Sequence, residues 1–579
     1  MAHGFRFAGI FCALAVVMTW PMLIEPAALY STRQDYFLGL WDLWWVAQAA
    51  TNSALSIFHT SLLYFPFGTG LEVQPLTLLQ TLPATPITLW LGPLISQNFL
   101  IVFSFVLAGW GAAMLIYAVA GSEVAAVAGG IIFAFAPYHY VYLPELNLVS
   151  IGFIPLYFLA THSLARDPGL LRSLLAGIAL AAVGLSSWYY GVAVGLVALV
   201  LSGHRLSASD PDMRIAQVKC EAAHWGLCGL VLAPVVLRML GGFDLTESSP
   251  PSAIAGVSLW MEGFKGSKTE FALWSYVGIL ALVFAAFGIY PVRRSRSWIA
   301  LVLVFLVLAW GERASIENFE FSLPLAWLQR LPLMSAVRYP DRFFVLVQLG
   351  VAVLAGLGVA RIHARVSSAG AGARVWLAPL ILILLLAEYW PGALTSLSPP
   401  VGPAIPVAPS SSLAAGELAG GVFHIPTRFR NLDGELMYLQ LTHRRPIAGG
   451  YLTRRKQGRA LGYYRDPVLR WLLTKTAPGR PPDGVARVLA EKGFAYVVVH
   501  KRPLSAGAQP APHRIAGPFS LGARTYLAQR LFPHYRNHGL TESTSRAWIS
   551  ALHGLLGTPV EDTEVAAIFR VPEVEEADE

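Results

Sequence analysis

Long apolar runs recur through the first 392 residues of this 579-residue chain, and they constrain its fold more than any other feature. A helix needs about 20 mostly apolar residues to cross the hydrocarbon core of a membrane. The predicted spans are 7–24, 97–119, 124–138, 147–165, 170–186, 188–203, 218–240, 271–290, 297–311, 342–362 and 375–392. We therefore expect a polytopic α-helical membrane protein with about 11 transmembrane helices.

The composition agrees with a membrane location and argues against a nucleic-acid-binding protein. Only 13% of the residues are charged and 55% are hydrophobic, whereas soluble proteins are typically about a quarter charged. The formal net charge is +8, but the basic residues lie mainly in short loops, where they set orientation in a membrane. We therefore expect a membrane as a partner and no nucleic acid.

A twelfth apolar run, 76–95, is interrupted by Pro83, Pro86 and Pro93. If this run does not cross, the loops rich in Lys and Arg all face the cytoplasm, as the positive-inside rule requires. If it crossed, every later loop would change sides. We therefore predict a re-entrant or interfacial hairpin within a first outer loop at 25–96, with the N-terminus in the cytoplasm and the C-terminus outside.

The composition changes after the last apolar run and predicts a second, outer domain. Residues 1–395 form the predicted transmembrane domain, and the Pro- and Ser-rich stretch 396–414 is a predicted linker. Within 415–570, a helical pattern, a turn at Gly493 and the strand in FAYVVVHK predict a periplasmic α/β domain. The acidic tail 571–579 is predicted to be disordered.

Two carboxylates follow the first apolar run, in the segment YSTRQDYFLGLWDLWWVAQA. An unpaired charge near lipid is costly, so each acid needs a compensating role. Asp35 is either a loop acid, solvated or paired with Arg33, or the acid of an active site. Asp42 lies in a predicted interfacial helix, where it would face water or cap the helix. Gly39 is predicted to end a loop before that helix begins.

The short outer loop APYHYVYLPELNLV concentrates polar side chains between two predicted spans. It carries His139, Glu145 and Asn147. These residues either hydrogen-bond the helix ends or form a polar wall that faces Asp35.

Two basic clusters lie near the predicted outer face. In MSAVRYPDRFF, Arg338 and Arg342 flank a Pro turn; they either pair with Asp341 or bind a phosphate. In MYLQLTHRRPIAGGYLTRR, His443 and Arg444 belong to a run of Tyr, His and Arg that is suited to stacking on sugars and binding anions. We predict that this run folds over the outer mouth of the membrane domain, and the alternative is a solvated loop.

The order of these elements resembles the GT-C superfamily of membrane glycosyltransferases. The resemblance is carried by WDLWWVAQA, YFPFGTGLEVQPLTLLQTLPATPITLWLGP, GGIIFAFAPYHYVYLPELNLVSIGFIPLYFL and VRYPDRFFVLVQLGVAVLAGLG, and further on by MYLQLTHRRPIAGGYLTR and FAYVVVHK. It covers most of the chain and is similar to a bacterial branch sometimes labelled as membrane proteins related to 6-pyruvoyl-tetrahydropterin synthase. We treat that label as a naming artefact, because nothing in the sequence indicates a soluble pterin enzyme.

The resemblance implies a sugar donor linked to a polyprenyl phosphate and a reaction at the outer face of a bacterial inner membrane. By position, Asp35 matches the first-loop carboxylate that serves the family as base or metal ligand. Many members carry two adjacent acids where this chain has one, which weakens a metal-bridging role, so the need for a divalent metal stays open and no metal ligand is assigned. The predicted substrate-binding residues are Arg33, Tyr36, His139, Glu145, Asn147, Arg338, Arg342, His443 and Arg444.

The acceptor stays open among a glycan, a lipid and a protein. One rival class is a polytopic transporter or lipid flippase, which often shows inverted repeats and ionisable residues within its central spans. Another is a catalytically inactive glycan-assembly protein. The sequence shows no repeat, and its acids cluster at the outer ends of the spans, which favours the transferase over the transporter.

Overall fold

The computed structural model describes residues 2–31, 33–242, 276–316, 319–331, 334, 337, 339–369, 371–390, 413, 419–427, 433–453, 458–474, 476–501 and 540–573. The helices are α1 (Ala2–Met18), α2 (Pro21–Ile24), α3 (Gln34–Thr51), α4 (Leu78–Thr81), α5 (Thr85–Leu91), α6 (Pro93–Ala120), α7 (Glu123–Phe135), α8 (Pro137–Val141), α9 (Leu146–Val149), α10 (Phe153–Arg166), α11 (Leu170–Ser186), α12 (Trp188–Ala208), α13 (Arg214–Gly242), α14 (Ile279–Ile289), α15 (Val292–Ala309), α16 (Pro324–Leu328), α17 (Phe344–Ala369), α18 (Ala371–Glu388), α19 (Asp433–His443), α20 (Gly458–Arg465), α21 (Pro467–Leu472), α22 (Val485–Glu491) and α23 (Glu542–Leu556). The strands are β1 (His59–Thr60), β2 (Thr69–Gly70), β3 (Arg313–Ile316), β4 (Phe319–Ser322), β5 (Gly421–Ile425), β6 (Phe494–His500), β7 (Glu561–Asp562) and β8 (Ala566–Arg570).

Each predicted span overlaps one or two helices, although 271–275 of the eighth span and 391–392 of the last span lie outside the described residues. By length and composition, six helical segments of the described residues could cross a membrane: Pro93–Ala120, Glu123–Val141, Leu146–Arg166, Trp188–Ala208, Pro211–Gly241 and Pro340–Val366. Shorter apolar helices are Ala2–Met18, Leu170–Ser186, Ile279–Ile289 and Val375–Glu388. The chain is therefore a multi-pass membrane protein; the number of crossings and their orientation remain predictions.

The Pro-interrupted run 76–95 forms two short helices and then joins α6. Helices α4 and α5 have four and seven residues, and at about 1.5 Å per residue neither reaches across a membrane. Pro86 lies in the first turn of α5 and Pro93 begins α6, positions where proline removes no helical hydrogen bond. Whether this run is a re-entrant or interfacial hairpin stays a prediction.

Glycines let α14 and α17 approach closely. A Cβ added at Gly288 would overlap the carbonyl oxygen of Leu354, and one added at Gly358 would overlap that of Phe284. Small residues are typical of helix contacts in membranes, because close packing rather than exclusion of water holds the helices together there. Residues 344–359 of α17 are buried inside the protein.

The chain beyond residue 419 contains a four-stranded mixed sheet in the order β5–β6–β8–β7. β5 and β6 are parallel, and β8 is antiparallel to β6 and β7. Gly493, with a φ of 78°, turns α22 into β6 and confirms the predicted helix–turn–strand. Phe423 and Val497 join the same apolar core as the membrane helices. The sheet is therefore continuous with the helical region.

The boundaries predicted for the outer domain are untested. Of the predicted linker 396–414, only Leu413 lies within the described residues, and 574–579 of the predicted tail lie outside them.

Candidate active site

The first turn of α3 carries the site, and the residues before it fix where the helix begins. Arg33 precedes the helix in an extended conformation, and its backbone N–H donates to Ser31 Oγ at 3.1 Å. The backbone N–H of Gly434 donates to the Gln34 side chain at 2.7 Å, which joins the start of α19 to the start of α3. Asp35 therefore lies at a helix N-terminus, where free N–H groups and the helix dipole favour a carboxylate.

Asp35 contacts one cation and one hydroxyl group. The Tyr451 hydroxyl donates to Oδ1 at 3.0 Å, and Arg33 Nη2 lies 3.8 Å from Oδ2. The side chain is 24% exposed, so it is accessible to a substrate. Burial raises the pKa of Asp35 and the negative charge of Glu145 raises it further, while Arg33 and the hydrogen bond from Tyr451 oppose the rise. A carboxylate whose pKa is raised toward neutrality is better matched to general-base catalysis.

Glu145 links two arginines at the site. Its carboxylate lies 3.3 Å from Arg33 Nη1 and 3.0 Å from Arg342 Nη2, and its side chain is 7% exposed. The sequence suggested the neighbouring Asp341 as the partner of Arg342. Instead, Asp341 accepts a hydrogen bond from the Tyr142 hydroxyl at 2.6 Å. The ion pair of Arg342 therefore joins the segment before α17 to the segment before α9.

Two tyrosine rings hold the Arg342 guanidinium. It lies 4.2 Å from the ring centroid of Tyr189 and 4.7 Å from that of Tyr339. The Tyr138 hydroxyl donates to the Arg342 carbonyl oxygen at 2.9 Å and fixes the backbone. Within the described part of the chain, Arg342 Nε is buried and has no hydrogen-bond partner. The arginine thus retains a donor that none of the described residues uses.

The donor set does not suit a divalent cation. Arg33 contacts both Asp35 and Glu145, and Arg342 contacts Glu145, so two guanidinium groups already balance the two carboxylates. Among the residues that the structure describes, no group of three or more His, Cys, Asp or Glu side chains could hold a metal ion. Magnesium often binds through one or two carboxylates and substrate phosphates, but here both carboxylates are already paired with arginines.

Several predicted site residues make contacts in the core instead. The Tyr36 ring is buried, and its hydroxyl donates to Asn98 at 2.6 Å, which anchors α3 to α6. His139 is buried, with its ring nitrogens 2.7 and 2.6 Å from two backbone carbonyl oxygens. Asn147 is partly buried on α9, and Arg338 lies outside the described residues. These contacts give Tyr36 and His139 structural roles in place of the predicted contacts with substrate.

Part of the segment 437–455 packs along α3, as expected for a segment that folds over the membrane domain. The ring of Tyr438 lies 5.6 Å from that of Phe37, and Trp41 Nε1 donates to Gln440 at 2.8 Å. Tyr451 reaches Asp35 itself.

His443, by contrast, belongs to a histidine cluster with His424 and His500. The ring centroids of His443 and His424 are 6.0 Å apart, and His424 Nδ1 lies 3.0 Å from His500 Nε2. Burial lowers the pKa of His443 to about 4. Arg444 is exposed. Gly434 meets the start of α3, and His443 ends α19 nine residues and about 14 Å of helix further on. His443 and Arg444 therefore lie away from Asp35.

The prediction that Asp42 faces water is wrong. Helix α3 runs unbroken through Gly39, so Asp35 and Asp42 lie two turns apart on one face. Asp42 is 3% exposed, and burial raises its pKa well above the usual range. Most of α3 is buried within the protein rather than at an interface. Gly39 serves a close helix contact instead of a loop, since an added Cβ would lie 2.7 Å from Gln97 Oε1.

Comparison with solved structures identifies the fold. The arabinofuranosyltransferase AftD from Mycobacteria matches with a TM-score of 0.60 and 16% identity, over 99% of this chain and 40% of that chain. The oligosaccharyltransferase AglB from Archaeoglobus fulgidus, solved with an inhibitory peptide and a dolichol-phosphate, matches with a TM-score of 0.50 and 11% identity, over 86% of this chain and 69% of that chain. This chain thus spans two fifths of the length of AftD.

No family model and no curated protein matches the sequence. The chain nevertheless shares its fold with AftD and AglB, which agrees with the fold that the resemblance to the GT-C superfamily implied. At these low identities the likeness concerns the fold, so a proposal about activity has to stand on the side chains of the site.

Proposed function

We propose that the chain is a membrane glycosyltransferase that moves a sugar from a polyprenyl-phosphate-linked donor to an acceptor at the outer face of a bacterial inner membrane. The observation that carries the proposal is the cluster of Asp35, Arg33, Glu145 and Arg342, in which an accessible carboxylate lies beside two guanidinium groups. The GT-C fold supports the reaction class, and AglB, which has that fold, was solved with a dolichol-phosphate.

Asp35 is the proposed base. Its carboxylate takes the proton of an acceptor hydroxyl while that oxygen attacks the anomeric carbon of the donor. The bond between the anomeric carbon and the phosphate oxygen breaks, and the polyprenyl phosphate leaves with the electron pair. The proton then passes from Asp35 to water. No strong general acid is needed, because a phosphate is already a good leaving group.

Arg342 and Arg33 are the proposed ligands of the donor phosphate. Negative charge grows on the leaving phosphate in the transition state, and a preorganised cation stabilises it most where water is excluded. The tyrosine rings that hold the Arg342 guanidinium in place support this role, because they preorganise the cation. The acceptor remains open among a glycan, a lipid and a protein.

The test is a transfer assay in nanodiscs with polyprenyl-phosphate donors that carry labelled sugars. Wild-type protein should release free polyprenyl phosphate and a labelled product. Arg342→Gln should raise the donor KM about tenfold or more, the usual cost of losing a hydrogen bond to a charged group. Arg546→Gln removes an arginine that is exposed on α23 and serves as the matched control, with an unchanged KM.

Two results would overturn the proposal. Movement of intact labelled donor across a liposome bilayer, without sugar transfer, would make the chain a flippase. Tight donor binding with no turnover against any class of acceptor would make it an inactive assembly protein.

A further inference from the structure

Asp42 is a buried acid that the proposed reaction does not use. One carboxylate oxygen, Oδ2, accepts a hydrogen bond from Gln74 Nε2 at 3.5 Å. The other, Oδ1, has no hydrogen-bond partner among the residues described. A polar group buried without full compensation destabilises the fold, and an apolar side chain at this position would avoid that cost. The acid therefore calls for a physical reason beyond packing.

The other end of the Gln74 amide contacts the chain that reaches Asp35. Gln74 Oε1 accepts hydrogen bonds from the backbone N–H of Thr453 at 3.3 Å and from its hydroxyl at 3.2 Å. Two residues earlier, the Tyr451 hydroxyl donates to Asp35 at 3.0 Å. The segment 451–453 thus meets α3 twice, once at Asp35 and once, through Gln74, at Asp42.

We propose that Asp42 is a positioning residue that orients the Gln74 amide and thereby holds the Tyr451 hydroxyl on Asp35. A carboxylate accepts from the NH₂ end of an amide, so Asp42 directs that end toward α3 and the oxygen toward Thr453. Without an acceptor at position 42, the amide is free to rotate, and Thr453 loses its partner. The effect on activity rests on the proposed function, but the effect on the segment does not.

Hydrogen exchange tests the structural part in the purified full-length protein in nanodiscs, without any turnover. Asp42→Leu should speed exchange in a peptide containing the Thr453 amide about tenfold, as expected when a local hydrogen bond is lost. Asp42→Asn keeps an oxygen that can accept from Gln74 and should restore slow exchange. Leu43→Ala, at a buried neighbouring position, is the control for general loosening of α3.

The pH profile of kcat/KM tests the link to Asp35. The hydrogen bond from Tyr451 lowers the pKa of Asp35, so losing it should move the acid limb to higher pH. Asp42→Leu should therefore shift the limb in the same direction as Tyr451→Phe. The double variant should shift it no further than Tyr451→Phe alone, because both changes remove the same contact.

Additive shifts of the acid limb in the double variant would overturn the proposal. It would also fail if Leu43→Ala speeds exchange at Thr453 as much as Asp42→Leu does. If Asp42→Leu does not fold, Gln74→Leu removes the same link from its other end and should give the same two results. Exchange that responds as expected in a protein without transferase activity would support the positioning role and remove the proposed function. Unchanged exchange in an active enzyme would support the proposed function and remove the positioning role.

Discussion

Replacing Glu145 with Gln tests the charge cluster at the site. Glu145 is buried and lies 3.3 Å from Arg33 and 3.0 Å from Arg342. Glutamine has nearly the same shape as glutamate, so the substitution removes the negative charge without opening a cavity.

The magnitude follows from what the two arginines retain. Removing one partner of a buried ion pair costs about 3–5 kcal/mol, because the other charge stays buried and unpaired. Arg342 still contacts two tyrosine rings, and cation–π contacts contribute about 0.5–2 kcal/mol, while Arg33 still contacts Asp35. We therefore expect the free energy of unfolding to fall by about 3 kcal/mol, at the lower end of that range.

The chain offers a matched control for this substitution. The pair Arg546–Glu542 has the same N···O distance, 3.0 Å, but its side chains are 74% and 83% exposed. Exposed pairs contribute about 0.5 kcal/mol or less, so Glu542→Gln should hardly change stability. Denaturation of both variants in the same detergent gives the comparison. Equal costs for Glu145→Gln and Glu542→Gln would refute the reasoning that burial makes the cluster strong.

Glu145→Gln should also change the pH dependence of kcat/KM. Asp35 has to be ionised to act as a base, so activity is lost as the pH falls through its pKa. The charge of Glu145 raises that pKa. Glu145→Gln should therefore move the acid limb to lower pH, and a shift to higher pH would contradict the electrostatic account.

The remaining predictions concern the fold. Gly288→Ala should lower the free energy of unfolding by about 1–3 kcal/mol through overpacking against α17, whereas Gly229→Ala, with nothing near an added Cβ, should not lower it; equal losses would contradict the close helix contact. Burial holds the pKa of His500 in the histidine cluster at about 4, against about 6.5 when unfolded. Stability should thus be full above pH 6.5 and fall toward pH 4, because the unfolded chain binds more protons; His500→Gln should flatten this dependence, and an unchanged profile would contradict it. Reporter fusions at the loop near Arg294 and at the C-terminus should report opposite sides of the membrane, and the same side for both would remove the predicted topology.

Much of the membrane fold could be predicted from the sequence, because local composition determines it. Apolar runs locate helices, since each helix satisfies its own backbone hydrogen bonds. The turn at Gly493 and the apolar strand β6 are local signals as well, and the structure contains both. Polar residues next to the ends of the spans could also be found from their position, so Asp35, Glu145 and Arg342 were among the candidates. The structure brings their side chains together.

The rest of the site depends on contacts between distant parts of the chain. Tyr451 and Asp35 are 416 residues apart, and Tyr451 lies in a segment that the sequence marked only for its general composition. The error over Asp42 has the same origin. A Gly within an aromatic segment indicates a loop when read alone, but here the missing side chain makes room for Gln97 of α6. Only the packed structure distinguishes these two uses of glycine.

Turnover by Asp35→Asn tests the central claim most directly. The measurement is sugar transfer from a polyprenyl-phosphate donor by the variant and by wild type, in the same nanodiscs and at matched folded concentration. Asparagine keeps the shape and can still accept from Tyr451, so the donor KM should change little. We expect kcat to fall by a factor of about 10² or more, as for a lost general base. Full activity in Asp35→Asn, or loss in Asp42→Asn with Asp35→Asn unaffected, would contradict the assignment of Asp35 as the base.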